Sequence, residues 1–295
     1  MRAVDTHMFP NTSEYLDGFM RGHREALEKH WGRTLQPITE EQMIDQLKAW
    51  DIVAILWAFE VPTSGKPPLS NEYVSRLVKS APDVFVGAYA SVDPWLGKAA
   101  IDRLEYCVKE LGMIGLTIEQ MVAKMFPDDE QFNPLWEKCI ELDIPVMFHM
   151  GQSGIGGGIP GGMGVQLKYT RPIHIDDLAA RYADLKIVGT HPAYPWHDEM
   201  LAIANHKGNV FVDLAGYAPK HIPPAVLREA NSRLQDKTMY GSDYPGTSPE
   251  RWLSEFDAME WKPQVRRKIL VENAQRIIGP HVKDPVARKT MGLLD

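Results

Sequence analysis

The chain has 295 residues, 32 Lys and Arg against 39 Asp and Glu, a formal net charge of −7, and 44% hydrophobic with 24% charged residues, a globular composition that excludes disordered, collagen-like and coiled-coil chains. The acidic balance offers no basic field to a nucleic-acid backbone or an anionic leaflet, so neither is expected as a partner. The longest apolar run, Ile52 to Phe59, has eight residues, whereas a membrane helix needs about 20.

In chain order, short β-branched apolar runs alternate with amphipathic stretches. Ala3-Val4 leads to Asp5, and a long segment from Pro10 to about Ala49 follows, with a helix expected around Tyr15–Trp31. Ile52–Leu56 leads to Trp57, with a helix over Asn71–Lys79; Val84–Tyr89 leads to Ser91, with a helix over Lys98–Leu111. Gly115–Ile118 leads to Glu119, with a helix over Asn133–Leu142, and Pro145–Phe148 leads to His149. Gly151–Gly164 then carries eight glycines without a Gly-Lys-Ser/Thr ending, so it reads as a mobile loop or lid and not as a phosphate loop. Ile175–Tyr182 is helical in pattern, and Lys186–Gly189 leads to His191. Val210–Asp213 precedes a helix over Pro223–Leu234, and Met239–Gly241 leads to Asp243. In the final helix, Pro263–Ile278, residues Val265, Ile269, Leu270, Ala274 and Ile277 form one face.

Runs that are apolar on both faces suit parallel strands covered on both sides, and the intervals are long enough for crossover helices. Eight strand–helix units predict an α/β fold of the closed (β/α)8 TIM-barrel type, which needs about 250 residues around one core. The expected organisation is a single barrel domain over residues 1–295, with a helical insertion over the mouth at 10–49 and a C-terminal tail at 280–295. The N-terminus has no secretory h-region, so a cytoplasmic location is expected. Cys107 and Cys139 read as two buried thiols, a disulfide being disfavoured in a reducing compartment.

Asp5 and His7 end the first strand, His149 the fifth, His191 the sixth and Asp243 the eighth. In a barrel all C-terminal strand ends face one mouth, so these five side chains are expected to converge. Three imidazoles and two carboxylates without sulfur make a site for one divalent metal, Zn2+ first, with Mn2+ or Fe2+ as alternatives. Each residue has a plainer alternative: Asp5 or Asp243 as a turn anchor, His149 or His191 as a hydrogen-bonded core histidine. Trp57, Tyr194, Trp196 and Tyr244 follow strand ends and are candidate walls of an aromatic pocket. Glu119 and His174 are further candidate substrate contacts, and Lys168 and Arg171 candidate carboxylate binders. The other histidines, His23 among them, read as surface or outer residues.

Asp5-Thr6-His7, Val146–Gly151, Ile187–His191, Tyr240–Pro245 and Ile269–Ala274 resemble the landmarks of the amidohydrolase superfamily. Within it they look like the amidohydrolase-2 branch, which includes aminocarboxymuconate-semialdehyde and resorcylate decarboxylases; the resemblance spans about Arg2 to Gly279. It implies a mononuclear metal (β/α)8 enzyme of the metal-dependent hydrolase type. His7 and His149 would be ligands, Asp243 a ligand or metal-adjacent acid/base, and His191 a catalytic or metal-facing histidine. The usual first motif is His-x-His, and here its second position is Phe9. Asp5 then replaces the missing ligand, as the acidic residue two before the histidine does in resorcylate-type enzymes, or the metal is weakly held or absent. After His191 the chain reads Pro-Ala-Tyr-Pro-Trp where the family often has a glycine pair, and the fourth strand carries no lysine for a carbamylated bridge.

The expected metal set is therefore Asp5, His7, His149 and Asp243, with His191 and Asp243 catalytic. The expected reaction is non-oxidative decarboxylation of a small (hydroxy)aromatic or muconate-type carboxylic acid. Hydrolysis of a lactone, amide or ester by the same shell is the alternative enzyme, and a degenerate metal-free barrel with a binding role is the alternative class. The resemblance also implies a dimer or tetramer.

Overall fold

A computed structural model describes residues 1–293, so the last two residues of the 280–295 segment lie outside the described range. Each apolar run forms a strand: β1 Ala3–Met8, β2 Ile52–Trp57, β3 Phe85–Ser91, β4 Gly115–Ile118, β5 Val146–His149, β6 Ile187–Thr190, β7 Val210–Asp213 and β8 Thr238–Met239. They pair in parallel in sequence order, and every residue of all eight is buried. That double-sided burial is why the runs read as continuous rather than alternating. The ring closes where β1 meets the chain after β8: Thr6 N–H donates to Tyr240 O at 3.0 Å, Asp243 N–H to His7 O at 2.8 Å and Phe9 N–H to Tyr244 O at 2.9 Å. The architecture is a (β/α)8 TIM barrel.

The predicted crossover helices are present with small shifts of boundary. Pro263–Ile278 is the exception: it is α-helical over Pro263–Arg267 and Asn273–Ile277, with a wider π-type turn over Lys268–Glu272 between them. The wider turn accompanies a bond from Tyr240 N–H to Ile269 O at 2.9 Å, which ties this helix to the chain after β8. Five further α-helices form among the described residues: Glu40–Ala49, Gln120–Ala123, His197–His206, Pro249–Asp257 and Pro285–Thr290. The first opens on a capping box, Thr39 accepting from Gln42 N–H while Gln42 Oε1 accepts from Thr39 N–H.

The helix expected around Tyr15–Trp31 is two pieces, a π-type turn at Glu14–Phe19 and an α-helix at Arg24–Trp31. The corner between them holds Gly22 at φ +85°, a left-handed conformation that glycine adopts without steric cost. Both pieces lie at the mouth formed by the C-terminal strand ends, where they wall a cavity. Cys107 and Cys139 are free and buried, and burial pushes both thiols up. Among the described residues no helix is long and apolar enough to cross a membrane.

Candidate active site

Six charged or titratable side chains from six strand ends gather at the mouth: His7 (β1), Glu119 (after β4), His149 (β5), His191 (after β6), Asp213 (β7) and Asp243 (after β8). His7 stacks on Trp57 with ring centroids 3.6 Å apart and planes at 9°. Its Nδ1 lies 3.3 Å from Asp213 Oδ2, and its Nε2 faces Asp243 Oδ1 at 3.7 Å. His149 is held by Gln120, which donates to its carbonyl at 2.9 Å and accepts its N–H at 3.0 Å. His149 Nε2 is 3.2 Å from Gln152 O, His191 Nδ1 is 3.0 Å from Ala215 O, and His149 Nδ1 meets His191 Nε2 at 3.1 Å. Glu119 Oε2 lies 3.3 Å from His149 Nδ1 and is buried without a hydrogen-bond partner.

Carbonyl and ionised carboxylate oxygens only accept, so His7 donates from Nδ1 to Asp213 and His191 from Nδ1 to Ala215. His149 has an acceptor on each side, Gln152 O at Nε2 and His191 Nε2 with Glu119 Oε2 at Nδ1, and metal binding at Nδ1 requires its proton on Nε2. In that tautomer the remaining nitrogens, His7 Nε2, His149 Nδ1 and His191 Nε2, present lone pairs to one another and to the oxygens of Asp243 and Glu119. Lone pairs at 3.1–3.7 Å repel unless a cation stands among them. Imidazole and carboxylate donors of this kind fit a divalent metal such as Zn2+ or Mn2+. Among the described residues no three His, Cys, Asp or Glu side chains already surround one point as a ligand set; the donors stand as facing pairs.

Burial pushes the Asp243 carboxyl up to about 6, against the pull of His7 and His149, although 27% of the side chain opens on the cavity. Burial, with His149 and His7 nearby, holds His191 well below the ordinary histidine range. For His7 burial acts downward, but its bond to Asp213 and the charges of Asp213, Asp243 and Glu119 outweigh it, and its value is raised. His191 and Asp243 occupy left-handed backbone at φ +68° and +58°, a conformation that costs about 1–3 kcal/mol for a non-glycine residue. Asp243 is held there by its N–H bond to His7 O, and His191 by its N–H bond to Asp213 Oδ1 at 3.0 Å. Gly216, at φ +78°, lies against both: a Cβ there would fall 2.7 Å from His191 Nδ1 and 3.2 Å from Asp243 Oδ2.

Above this floor is a cavity of about 70 Å³ that opens toward solvent. Its walls are Phe9, Tyr15, Phe19, Met20, Leu27, Trp31, Leu35 and Phe59, with Ser153, Gly154 and Ile155 from the glycine-rich loop. Phe9 stacks on Tyr15 with centroids at 4.9 Å, and Phe19 meets Phe59 at 4.3 Å. Among the described residues no Lys or Arg lines the cavity.

The sequence candidates divide. His7, His149, His191, Asp243 and Glu119 line the cavity. Asp5 lies one pleat deeper on the same face of β1, with Oδ1 accepting from His7 N–H at 3.1 Å and Ser242 N–H at 2.9 Å, and Oδ2 buried without a partner; burial pushes it up to about 7. Trp57 is buried beneath His7, its Nε1–H donating to Thr6 O at 3.1 Å. Tyr244 also turns from the cavity, its hydroxyl bonded to Asn11 and Gln46. His174 pairs with Asp128 at 3.0 Å, Tyr194 is exposed, and Trp196 stands at the start of the His197–His206 helix; none of the three lines the cavity. Arg171 pairs with Glu199, and Lys168 lies over Tyr169. Sequence reasoning missed Asp213 and Gln120, and read His23, which lines the cavity and is buried, as an outer residue. Asp213 carried the same signal as its neighbours, a carboxylate at the last position of an apolar run.

A model of the amidohydrolase family matches residues 4–279. This chain belongs to the amidohydrolase-2 family. Its curated relatives include decarboxylase orsB of Emericella nidulans, 24% identical over 233 residues that cover 65% of this chain and 68% of the relative. Among solved structures, an uncharacterised TIM-barrel protein of Bordetella bronchiseptica superposes on this amidohydrolase with TM-score 0.79 at 23% identity, covering 96% of this chain and all of the other. A 5-carboxyvanillate decarboxylase of Novosphingobium aromaticivorans, solved with manganese and a substituted nitrobenzoic acid, gives TM-score 0.64 at 18% identity over 94% of this chain and 97% of its own.

Proposed function

We propose that this amidohydrolase-2 protein is a metal-dependent carboxy-lyase that removes CO2 from a small aromatic carboxylic acid without oxidation. The observation that carries this reading is the convergence of three imidazole rings and the Asp243 carboxylate at the floor of an aromatic cavity. His7, His149 and Asp243 would hold the metal, and Asp5 and Glu119 each bring a buried oxygen without a hydrogen-bond partner to the same region. When bound, a divalent ion supplies a Lewis-acid contact for the substrate's carboxylate and a neighbouring oxygen.

The protein's own groups account for the rest. Phe9, Tyr15, Phe19 and Phe59 give a flat substrate apolar faces to lie against, and such aromatic pairs contribute about 0.5–1.5 kcal/mol each beyond burial. With no Lys or Arg in the walls, a second carboxylate on the substrate would be buried unpaired, which is costly. That favours an aromatic monocarboxylate over a muconate-type diacid. His191 is the proposed proton carrier: Nδ1–H stays on Ala215 O while Nε2 faces the floor. Arrival of an anionic substrate offsets the burial that keeps this imidazole neutral, so it takes up a proton. As the bond to the carboxyl carbon breaks and CO2 leaves, the ring carbon accepts that proton.

Hydrolysis of a lactone, amide or ester is the second reading, supported by the elevated Asp243 carboxyl, which borders the cavity where a general base would act. One experiment separates them: hydroxylated benzoates and small lactones are incubated with protein and Mn2+ or Zn2+, and headspace CO2 and product NMR are followed. Metal-dependent CO2 with the decarboxylated arene is expected; ring or ester opening without CO2 would replace the first reading by the second.

A further inference from the structure

Asp213 is the most heavily engaged carboxylate of the floor. It ends β7 with no exposure, Oδ1 accepting from His191 N–H and Ala215 N–H, both at 3.0 Å, while Oδ2 meets His7 Nδ1 at 3.3 Å. One side chain thus ties together residues of β1, β6 and β7. Gly241 makes room for this arrangement: a Cβ there would fall 2.8 Å from His7 Cβ, 3.0 Å from Ala215 Cβ and 3.5 Å from Asp213 Oδ2.

We infer that Asp213 is a positioning residue that sets the tautomer of His7, directing the Nε2 lone pair into the cavity, and at the same time holds His191 in its left-handed backbone. An ionised carboxylate has no proton to offer, so His7 Nδ1 must be the donor and Nε2 the acceptor. The Nε2 acceptor is the atom that faces Asp243. Without Asp213, His7 is free to carry its proton on Nε2, where it blocks a cation. Carboxylates behind metal-ligating histidines act in this way generally, and their loss weakens metal binding by about 10–100-fold. The reach to His191 N–H is a second duty, which a carboxylate serving one imidazole alone would not have.

The inference rests on the proposed metal site for its consequence, but its test separates the two. Asp213→Asn is nearly isosteric. Its Oδ1 can still accept from His191 and Ala215, while its NH2 meets His7 Nδ1 as a donor and drives the imidazole proton to Nε2. Imidazole 15N NMR at about pH 9, with the His7 signal assigned by its absence in His7→Gln, reads the tautomer directly without metal or substrate. The expected result is Nδ1–H in the wild-type protein and Nε2–H in the variant, with Mn2+ dissociation constants from calorimetry raised about 10–100-fold and a melting temperature close to wild type. A wild-type His7 protonated on Nε2, an unchanged tautomer in the variant, or a switched tautomer with unchanged Mn2+ affinity would each overturn it. If the variant does not fold, the wild-type tautomer alone decides. If wild-type protein binds no Mn2+ while the tautomers still switch, Asp213's role stands and the metal reading fails.

Discussion

His149 Nδ1 and His191 Nε2 stand 3.1 Å apart, while the other nitrogen of each ring faces a backbone carbonyl, Gln152 O and Ala215 O respectively. The His191 proton is drawn outward to Ala215, and the His149 proton has a partner either outward at Gln152 or inward at His191. On the proposed reading, His149 gives its Nδ1 to the metal while His191 keeps Nε2 for the proton. Most of the following expectations come from that arrangement.

Metal should stabilise the protein. A ligand at 100 times its dissociation constant adds about 2.7 kcal/mol to folding, so chelator-treated protein titrated with Mn2+ or Zn2+ should melt several degrees higher in a thermal scan. An unchanged midpoint with either ion would mean that the facing nitrogens are not a metal site.

The two histidines should part company on substitution. His149→Ala should remove most of the bound metal measured by elemental analysis, since its Nδ1 sits between His191 and Glu119. His191→Ala should keep the metal and lower turnover by about 10²–10⁴-fold, the usual scale for loss of an acid/base group. Loss of metal from both variants would place His191 among the ligands.

Gly216→Ala should damage the site with modest cost to the fold. Its φ of +78° is unfavourable for alanine, a penalty of about 1–2 kcal/mol, and the methyl would press on His191 and Asp243. Turnover should fall well beyond what the melting temperature predicts; kinetics together with thermal unfolding check this.

Asp5 should make the metal-free protein sensitive to pH. Its folded value of about 7 lies above the ordinary aspartate value of 3.8, so the folded state binds the proton more tightly. Its contribution is fully present below the unfolded value and lost as pH rises through the folded one. In chelator, the stability of wild type relative to Asp5→Asn should therefore fall between about pH 4 and pH 8, as read by urea unfolding. A difference that is flat or rises with pH would contradict a desolvated carboxyl at this position.

Phe9→His should tighten metal binding. Phe9 lines the cavity with its ring centroid 6.0 Å from that of His7, so an imidazole there adds a donor at the edge of the cluster. Calorimetry with Mn2+ should show a lower dissociation constant; an unchanged value would place the new ring out of reach.

Much of this protein was legible before any coordinates. Strands buried on both faces must be apolar throughout, so all eight appear as short local runs, and a residue ending such a run in a barrel must stand at the mouth. That single rule brings His7, His149, His191 and Asp243 together from distant parts of the chain. Only the tertiary structure decided which way the loops turn after each strand. Tyr244 follows Asp243 directly yet points at Asn11 and Gln46, and Trp57 lies under His7 and not beside a substrate. Such directions depend on left-handed backbone at positions 191 and 243 and on bonds reaching across the barrel, which no local pattern records. The same holds for Asp213, whose importance comes from its partners 22 and 206 residues away. Composition and period determine where a strand ends; long-range hydrogen bonds and steric fit determine what its last side chain touches.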